Sequence, residues 1–192
     1  MDLEKNFIVE IKSILFHARQ KAYTAINSAM VEAYWLMGKR IVEEEQHGKE
    51  RAAYGKGLLK ALATELSAEF GKGFDERELR RIRQFYQIFP IRGTLRPELS
   101  WCHYRLLIRI TSDSARDYYL TEAANNQWSY RTLERNSNSL YYQRLLSSQV
   151  KQPVIDKMMP KTEMFQQDTL EFIKNPYVLE FLQLPCNASY KA

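Results

Sequence analysis

Apolar and small residues recur along the first part of the chain at Phe7, Ile11, Ile14, Ala18, Ala22, Ala25, Ala29, Ala33 and Leu36, in steps of three or four. No proline interrupts the stretch from about Asp2 to Glu45, and no glycine precedes Gly38. Such spacing predicts one long helix, or two nearly collinear ones. The alanines would let a second helix approach closely. The stripe is therefore either an ordinary core-facing one or the seam of an antiparallel hairpin or a dimer. Gln46–Lys49 reads as a break. A second helix is expected from about Tyr54 to Phe70, with Leu58, Leu59, Leu62, Leu66 and Phe70 on one side and Gly71 as the left-handed residue that ends it. Asp75, followed three residues later by Glu78, is a capping signature for a third helix reaching Phe89, where Pro90 stops it.

Beyond Pro90 the stretch Ile91–Ser100 is loop-like. Ser100 can cap a short helix through about Ile110, and Ser112 or Asp113 another to about Asn125. Ser129 can cap one from Tyr130 to about Ser147. Residues 148–168 turn polar and contain Pro153 and Pro160, which suggests a linker; residues 169–184 recover helical character, broken at Asn175-Pro176. The expected class is all-α: a helical bundle with a long N-terminal helix or helical hairpin, followed by a helix-turn-helix-like unit. Residues 1–147 would form one domain, separated by the linker from 169–192.

Charge sharpens this picture through its placement. Residues 1–70 hold ten basic and ten acidic side chains, and residues 145–192 hold five of each. The whole net charge of +5 lies in 71–144, with thirteen basic against eight acidic, and twelve of the thirteen are arginine. Arginine presents a planar fork of donors suited to phosphate and to guanine edges, whereas lysine is the common solubilising choice. The middle of the chain reads as a surface built to meet an anion.

Within that window the third helix has two sides. At about 100° per residue, Leu79, Ile82, Phe85, Tyr86 and Phe89 share one face. Arg77, Arg80, Gln84 and Gln87 form a stripe opposite, flanked by Arg81 and Arg83. Arginine can bond guanine and glutamine adenine in two-point fashion, so such a face fits a major groove. Arg77, Arg80, Arg81, Gln84 and Gln87 are the expected groove-side residues. Arg83 and Lys72 would reach phosphates, and Arg92 and Arg96 in the following loop are candidates for backbone contact. Trp35, Trp101, Trp128 and most tyrosines are expected in the core, since stacking on bases belongs mainly to single-strand binders.

Enzyme chemistry finds no support. The chain has no GxSxG elbow, no GxxxxGK[ST] loop and no HExxH. Glu10-Ile11-Lys12 matches the bare E-x-K of metal-dependent nucleases, yet residues two apart on a helix diverge by about 200° and cannot share a metal. Cys102 and Cys186 are far apart, and His17, His47 and His103 sit on separate segments, so neither disulfides, a metal site nor a cofactor is expected. The start of the chain lacks a signal-peptide pattern, and no apolar run approaches the roughly 20 residues of a membrane span. A cytoplasmic protein with no membrane partner and no small-molecule substrate is expected.

Several stretches, in order, carry a family resemblance. They are Glu32-Ala33-Tyr34-Trp35-Leu36-Met37-Gly38-Lys39-Arg40-Ile41, Tyr54-Gly55-Lys56, Phe70-Gly71-Lys72-Gly73-Phe74 and Leu79-Arg80-Arg81-Ile82-Arg83-Gln84-Phe85-Tyr86, then Leu99-Ser100-Trp101-Cys102-His103-Tyr104 and Trp128-Ser129-Tyr130-Arg131-Thr132-Leu133. Through them the chain resembles the bacterial YhcG-like (DUF1016) family over about residues 7–184. Members join an α-helical N-terminal domain to a PD-(D/E)xK nuclease domain. Asn175-Pro176-Tyr177-Val178-Leu179-Glu180-Phe181-Leu182 looks like the family's entry into that second domain, so residues 169–192 would be its truncated start. The resemblance implies a DNA-directed role, with the front domain binding double-stranded DNA or assembling the protein. Arg135-Asn136-Ser137 departs from it, being polar where members tend to be apolar. No catalytic residue carries over, because the acidic residues and lysine of the nuclease would lie beyond Ala192. The expectation is a non-catalytic DNA-binding module. The alternative is an interaction module that forms a homo-oligomer through residues 1–45.

Overall fold

A computed structural model describes residues 5–47, 52–148 and 175–182. The described residues form α-helices joined by turns, with no strand among them. The first helix, α1 (Lys5–His47), is continuous over 43 residues, a length of about 64 Å. Its buried side is not the one that the periodicity singled out. Met30, Val31, Tyr34, Trp35 and Ile41 enter the core, while Phe7, Ile11, Ile14, Ala18, Ala22, Ala25, Ala29 and Leu36 are exposed. The core-facing reading of that stripe is thus overturned. By the 100° rotation, the two sets lie on nearly opposite sides of the helix. Over residues 23–41, where the body packs, the bulky set wins over Ala25, Ala29 and Ala33 because aromatic and long aliphatic side chains bury far more area than alanine. Gly38 belongs to the winning side: a Cβ there would stand 2.4 Å from the Ile82 carbonyl oxygen, so glycine lets the backbones meet.

Helix α2 (Ala52–Phe70) begins two residues earlier than the sequence suggested and ends at Gly71, whose N–H donates to Ser67 O at 3.2 Å. Gly71 has the expected positive φ of 90°, but its ψ of −175° is extended, not left-handed helical. That region is open essentially to glycine alone. A 3-10 turn (Lys72–Phe74) leads into α3 (Glu76–Ile88). Asp75 caps α3 by accepting from the Glu78 N–H at 2.7 Å. Leu79, Ile82 and Phe85 are fully buried, and Phe89 nearly so. The indole Nε1 of Trp35 donates to the Phe89 carbonyl at 2.7 Å, fastening the end of α3 to α1.

After a 3-10 turn (Arg92–Thr94) come α4 (Trp101–Leu107) and α5 (Asp113–Asn125). Ser112 Oγ caps α5 by accepting from Ala115 N at 3.3 Å. The single helix expected from Tyr130 to Ser147 is instead two, α6 (Tyr130–Asn138) and α7 (Tyr141–Ser147), broken where Leu140 adopts a left-handed φ of 53°. Tyr119 explains how the break is accommodated. Its hydroxyl donates to the Asn136 carbonyl at 3.2 Å and accepts from the Tyr142 N–H at 3.0 Å. It satisfies one orphan group from each of the two helix ends.

Asn175 and Pro176, expected to break a helix, start one: α8 (Pro176–Phe181), where Asn175 Oδ1 accepts from the Tyr177 N–H at 3.1 Å. Val178 is buried in the same core as the earlier helices, and Phe181 meets Tyr34 edge-on, with ring centroids 6.3 Å apart. Apart from Ser148, the expected linker lies outside the described residues. At the centre, Trp101 is wholly buried and packs on Phe85 and Tyr34 at 5.3 and 5.0 Å. Trp35 and Trp128 are buried as well. No helix among the described residues is long and apolar enough to cross a membrane.

Candidate nucleic-acid interface

The core face of α3 is pressed against α1 and α4, and the rotation of the helix turns Arg77, Arg80, Gln84 and Gln87 outward, all exposed. Arg80 is ion-paired with Glu76 one turn back, on the surface. Gln84 Nε2 donates to the Ile108 carbonyl at 3.2 Å, which ties this face to the end of α4. Arg77 has no carboxylate partner among the described residues. Gln87 is exposed one turn beyond Gln84.

The flanking residues have other employment. Arg81 turns inward and donates from Nη1 to Glu78 Oε2 at 2.7 Å. Arg83 crosses to α1 and donates to Glu45 Oε1 at 2.8 Å. Arg92 pairs with Glu32 of α1. Arg96 is exposed on the loop, its backbone N–H held by the Tyr104 hydroxyl at 2.7 Å. The side chain of Lys72 lies outside the described residues. Of the nine residues expected to meet DNA, four therefore form one open surface, while three others sit in ion pairs, that of Arg81 within α3 and those of Arg83 and Arg92 reaching across to α1.

Glu78 is the hub beneath this surface. Periodicity assigned it a capping role toward Asp75. Its side chain instead accepts from Trp101 Nε1 at 2.7 Å and from Arg81, with Arg105 Nη2 at 4.0 Å. The carboxylate is nearly buried and anchors two guanidinium groups. Arg105, on α4, also lies over the Tyr177 ring, 4.5 Å from its centroid. Burial lowers the proton affinity of the Arg105 guanidinium; Glu78 opposes this, and the nearby Arg81 and Arg77 add to it. Arg81 and Arg105 thus share one carboxylate, with the charge of Arg77 close enough to act on Arg105, an arrangement that favours an arriving anion.

Arg105 and the exposed Arg109, at the end of α4, were missed by the helical reading of α3. The signal available was their membership of the same arginine-rich window. A helix as short as α4 shows no usable periodicity, and nothing local says that it abuts α3.

The buried His103 has a structural role. Its Nδ1 accepts from the Ser100 N–H at 3.2 Å, and its Nε2 lies 2.9 Å from the Trp128 carbonyl. Burial pushes it down to about 4, so the ring is neutral at pH 7. Among the described residues no group of three His, Cys, Asp or Glu side chains could hold a metal ion. Glu10 and Lys12 lie on the exposed part of α1, on diverging sides of a helix.

Comparison with known proteins agrees with the sequence resemblance. The chain is 32% identical to "Putative nuclease YhcG" of Escherichia coli (strain K12), in an alignment that covers 87% of this chain and 52% of that protein. It therefore spans about half the length of that relative. No solved structure matches it. The model of the DUF1016 N-terminal domain matches residues 10–144, from the middle of the free part of α1 into α7. The chain belongs to the DUF1016 N-terminal domain family.

Proposed function

We propose that this domain is a non-catalytic module that binds duplex DNA in the cytoplasm through the outward face of α3 and the adjoining end of α4. The observation that carries the reading is the two-sidedness of α3. Leu79, Ile82 and Phe85 are locked in the core, so Arg77, Arg80, Gln84 and Gln87 are held outward as a rigid row. A rigid helix bearing Arg and Gln at these spacings can make two-point hydrogen bonds to base edges, Arg with two donors and Gln with a donor and an acceptor. Helix α2, the 3-10 turn and α3 act as the helix-turn-helix-like unit. Arg105 and Arg109 extend the positive surface beside it. The name of the relative points to nucleic acid as its substrate, and a DNA-holding front domain fits that chemistry. Duplex affinity measured across a salt series tests the reading, comparing the wild type with the Arg77→Ala/Arg80→Ala/Gln84→Ala variant. A steep salt dependence that flattens in the variant supports it. No binding by the wild type at low salt overturns it, and unchanged affinity in the variant moves the site elsewhere.

A second reading, self-association through α1, is favoured by the outward apolar residues of that helix. Phe7, Ile14 and Leu15 are each more than half exposed. Substitution within the full chain is the proper test, because residues 23–41 supply core side chains and their removal would unfold the body.

A further inference from the structure

From Lys5 to Arg19 every residue of α1 is exposed, and core contacts begin only with Tyr23 and Ile26. The first five turns are an arm that the rest of the described chain does not cover. That arm carries Phe7, Ile8, Val9, Ile11, Ile14, Leu15 and Phe16, all exposed. A free helix of this length is marginal in water, and most helical stability comes from packing an apolar face. A helical arm this rich in large apolar groups calls for a partner.

The stripe has a stricter order than steps of three and four. Phe7, Ile11 and Ile14 are followed at an interval of eleven by Ala18, Ala22 and Ala25, and then by Ala29, Ala33 and Leu36. An eleven-residue repeat corresponds to about 3.67 residues per turn, so the seam runs nearly along the helix without the left-handed coiling of a heptad. It continues from the arm onto the outer side of residues 25–36, whose inner side is core. The stripe is also graded in size, with bulky residues on the arm and mostly alanine on the part backed by the body.

We propose that two copies of the chain pair antiparallel along this stripe, the arm of each α1 lying on the outer face of the other's body-bearing half. This deepens the self-association reading and is independent of DNA binding. The gradient of size argues for the direction. With the helices centred between Lys21 and Ala22, Phe7 faces the partner's Leu36, Ile14 faces the partner's Ala29, and Ala18 faces the partner's Ala25. Ile14 meets the partner's Ala29 and Ile11 lies within one residue of the partner's Ala33, so large meets small on both flanks, while Ala18 on Ala25 lets the centre close in. A parallel pair would set Phe7 on Phe7 and Ile14 on Ile14 while leaving a long alanine stretch too far apart to touch. The seam is about 44 Å long and about 11 Å wide. It covers on the order of 1,000 Å² over both partners, the lower bound for a specific interface. The two-fold arrangement is the self-complementary kind most common among dimers.

The test uses the full chain with Cys102→Ser and Cys186→Ser. Ile14→Cys and Ala29→Cys variants are prepared separately, mixed and mildly oxidised. The expected product is the mixed disulfide between positions 14 and 29, since in this pairing two copies of position 14 stand about 22 Å apart. Disulfides joining 14 to 14 and 29 to 29, in a protein that sizes as a dimer, would overturn the antiparallel arrangement while leaving self-association standing. A wild type that stays monomeric at all concentrations overturns both. Ile11→Lys/Ile14→Lys should abolish the dimer with no change in the melting of the body. A dimer that survives that variant removes the stripe as the seam.

Discussion

The indole of Trp101 donates to the carboxylate of Glu78 at 2.7 Å, joining the first turn of α4 to the first turn of α3 beneath the arginine surface. Both residues are buried, and the other oxygen of Glu78 holds Arg81. The core therefore reaches the surface through one carboxylate: Trp101 fixes Glu78, and Glu78 fixes the inner edge of the positive face. Removing one member of a buried ion pair costs roughly 3–5 kcal/mol. Glu78→Leu should fall at the low end of that range, because Arg81 and Arg105 keep 25% and 22% of their side-chain surface exposed. Denaturant unfolding measures it, and an unchanged midpoint would show that the hub contributes nothing.

Arg77 and Arg83 are separated by less than two turns of α3, but among the described residues only Arg83 has a carboxylate partner. Arg77→Ala should weaken duplex binding and lower the salt dependence by about one phosphate equivalent if it meets the backbone, with no change in melting. Arg83→Ala breaks the link to Glu45 and should lower the melting temperature slightly while leaving DNA affinity nearly intact. Equal losses of affinity in both would mean that the Glu45 pair opens on binding.

Gly38 marks the closest approach of α1 to α3. A methyl group there would stand 2.4 Å from Ile82 O and 2.8 Å from Tyr86 Cβ. Gly38→Ala must push the helices apart, and a cost of about 1–3 kcal/mol or more is expected, despite alanine's better helix propensity. A neutral or stabilising effect in thermal unfolding would contradict the tight crossing.

His103 makes stability depend on pH. Burial depresses its pKa from 6.5 to about 4, so between these values the unfolded chain binds more protons than the folded one. Stability is then complete above pH 6.5 and falls as the pH drops toward 4, by about 3 kcal/mol from this group. His103→Gln can still donate to the Trp128 carbonyl and cannot titrate. The difference between variant and wild type should shrink on acidification across that window; a constant difference would remove His103 as the cause.

Asn136 is almost wholly buried, and neither polar atom of its amide has a partner among the described residues. Leucine has a similar shape. Asn136→Leu should raise stability by about 1–2 kcal/mol, by ending the penalty for an unpaired buried amide. A loss of stability would reveal a bridging group at that amide.

Local patterns determined much of this molecule. Helix α3 was legible because its period, its Asp75 cap and its Pro90 stop all agree. The inward Leu79, Ile82 and Phe85 were read from spacing alone. The all-α class and the caps at Ser112 and Ser129 follow from similarly short-range chemistry. Tertiary structure decided what periodicity cannot express. Helix α1 has two apolar sides, and the spacing could not say that α3 would pack on the one with Gly38, Tyr34 and Trp35. The break at Leu140 depends on Tyr119, more than twenty residues away. The arginines divided into exposed and paired groups according to where Glu45, Glu32 and Glu78 came to rest. A helix's period reports the faces that it has, whereas burial and ion pairing depend on neighbours brought in from distant parts of the chain.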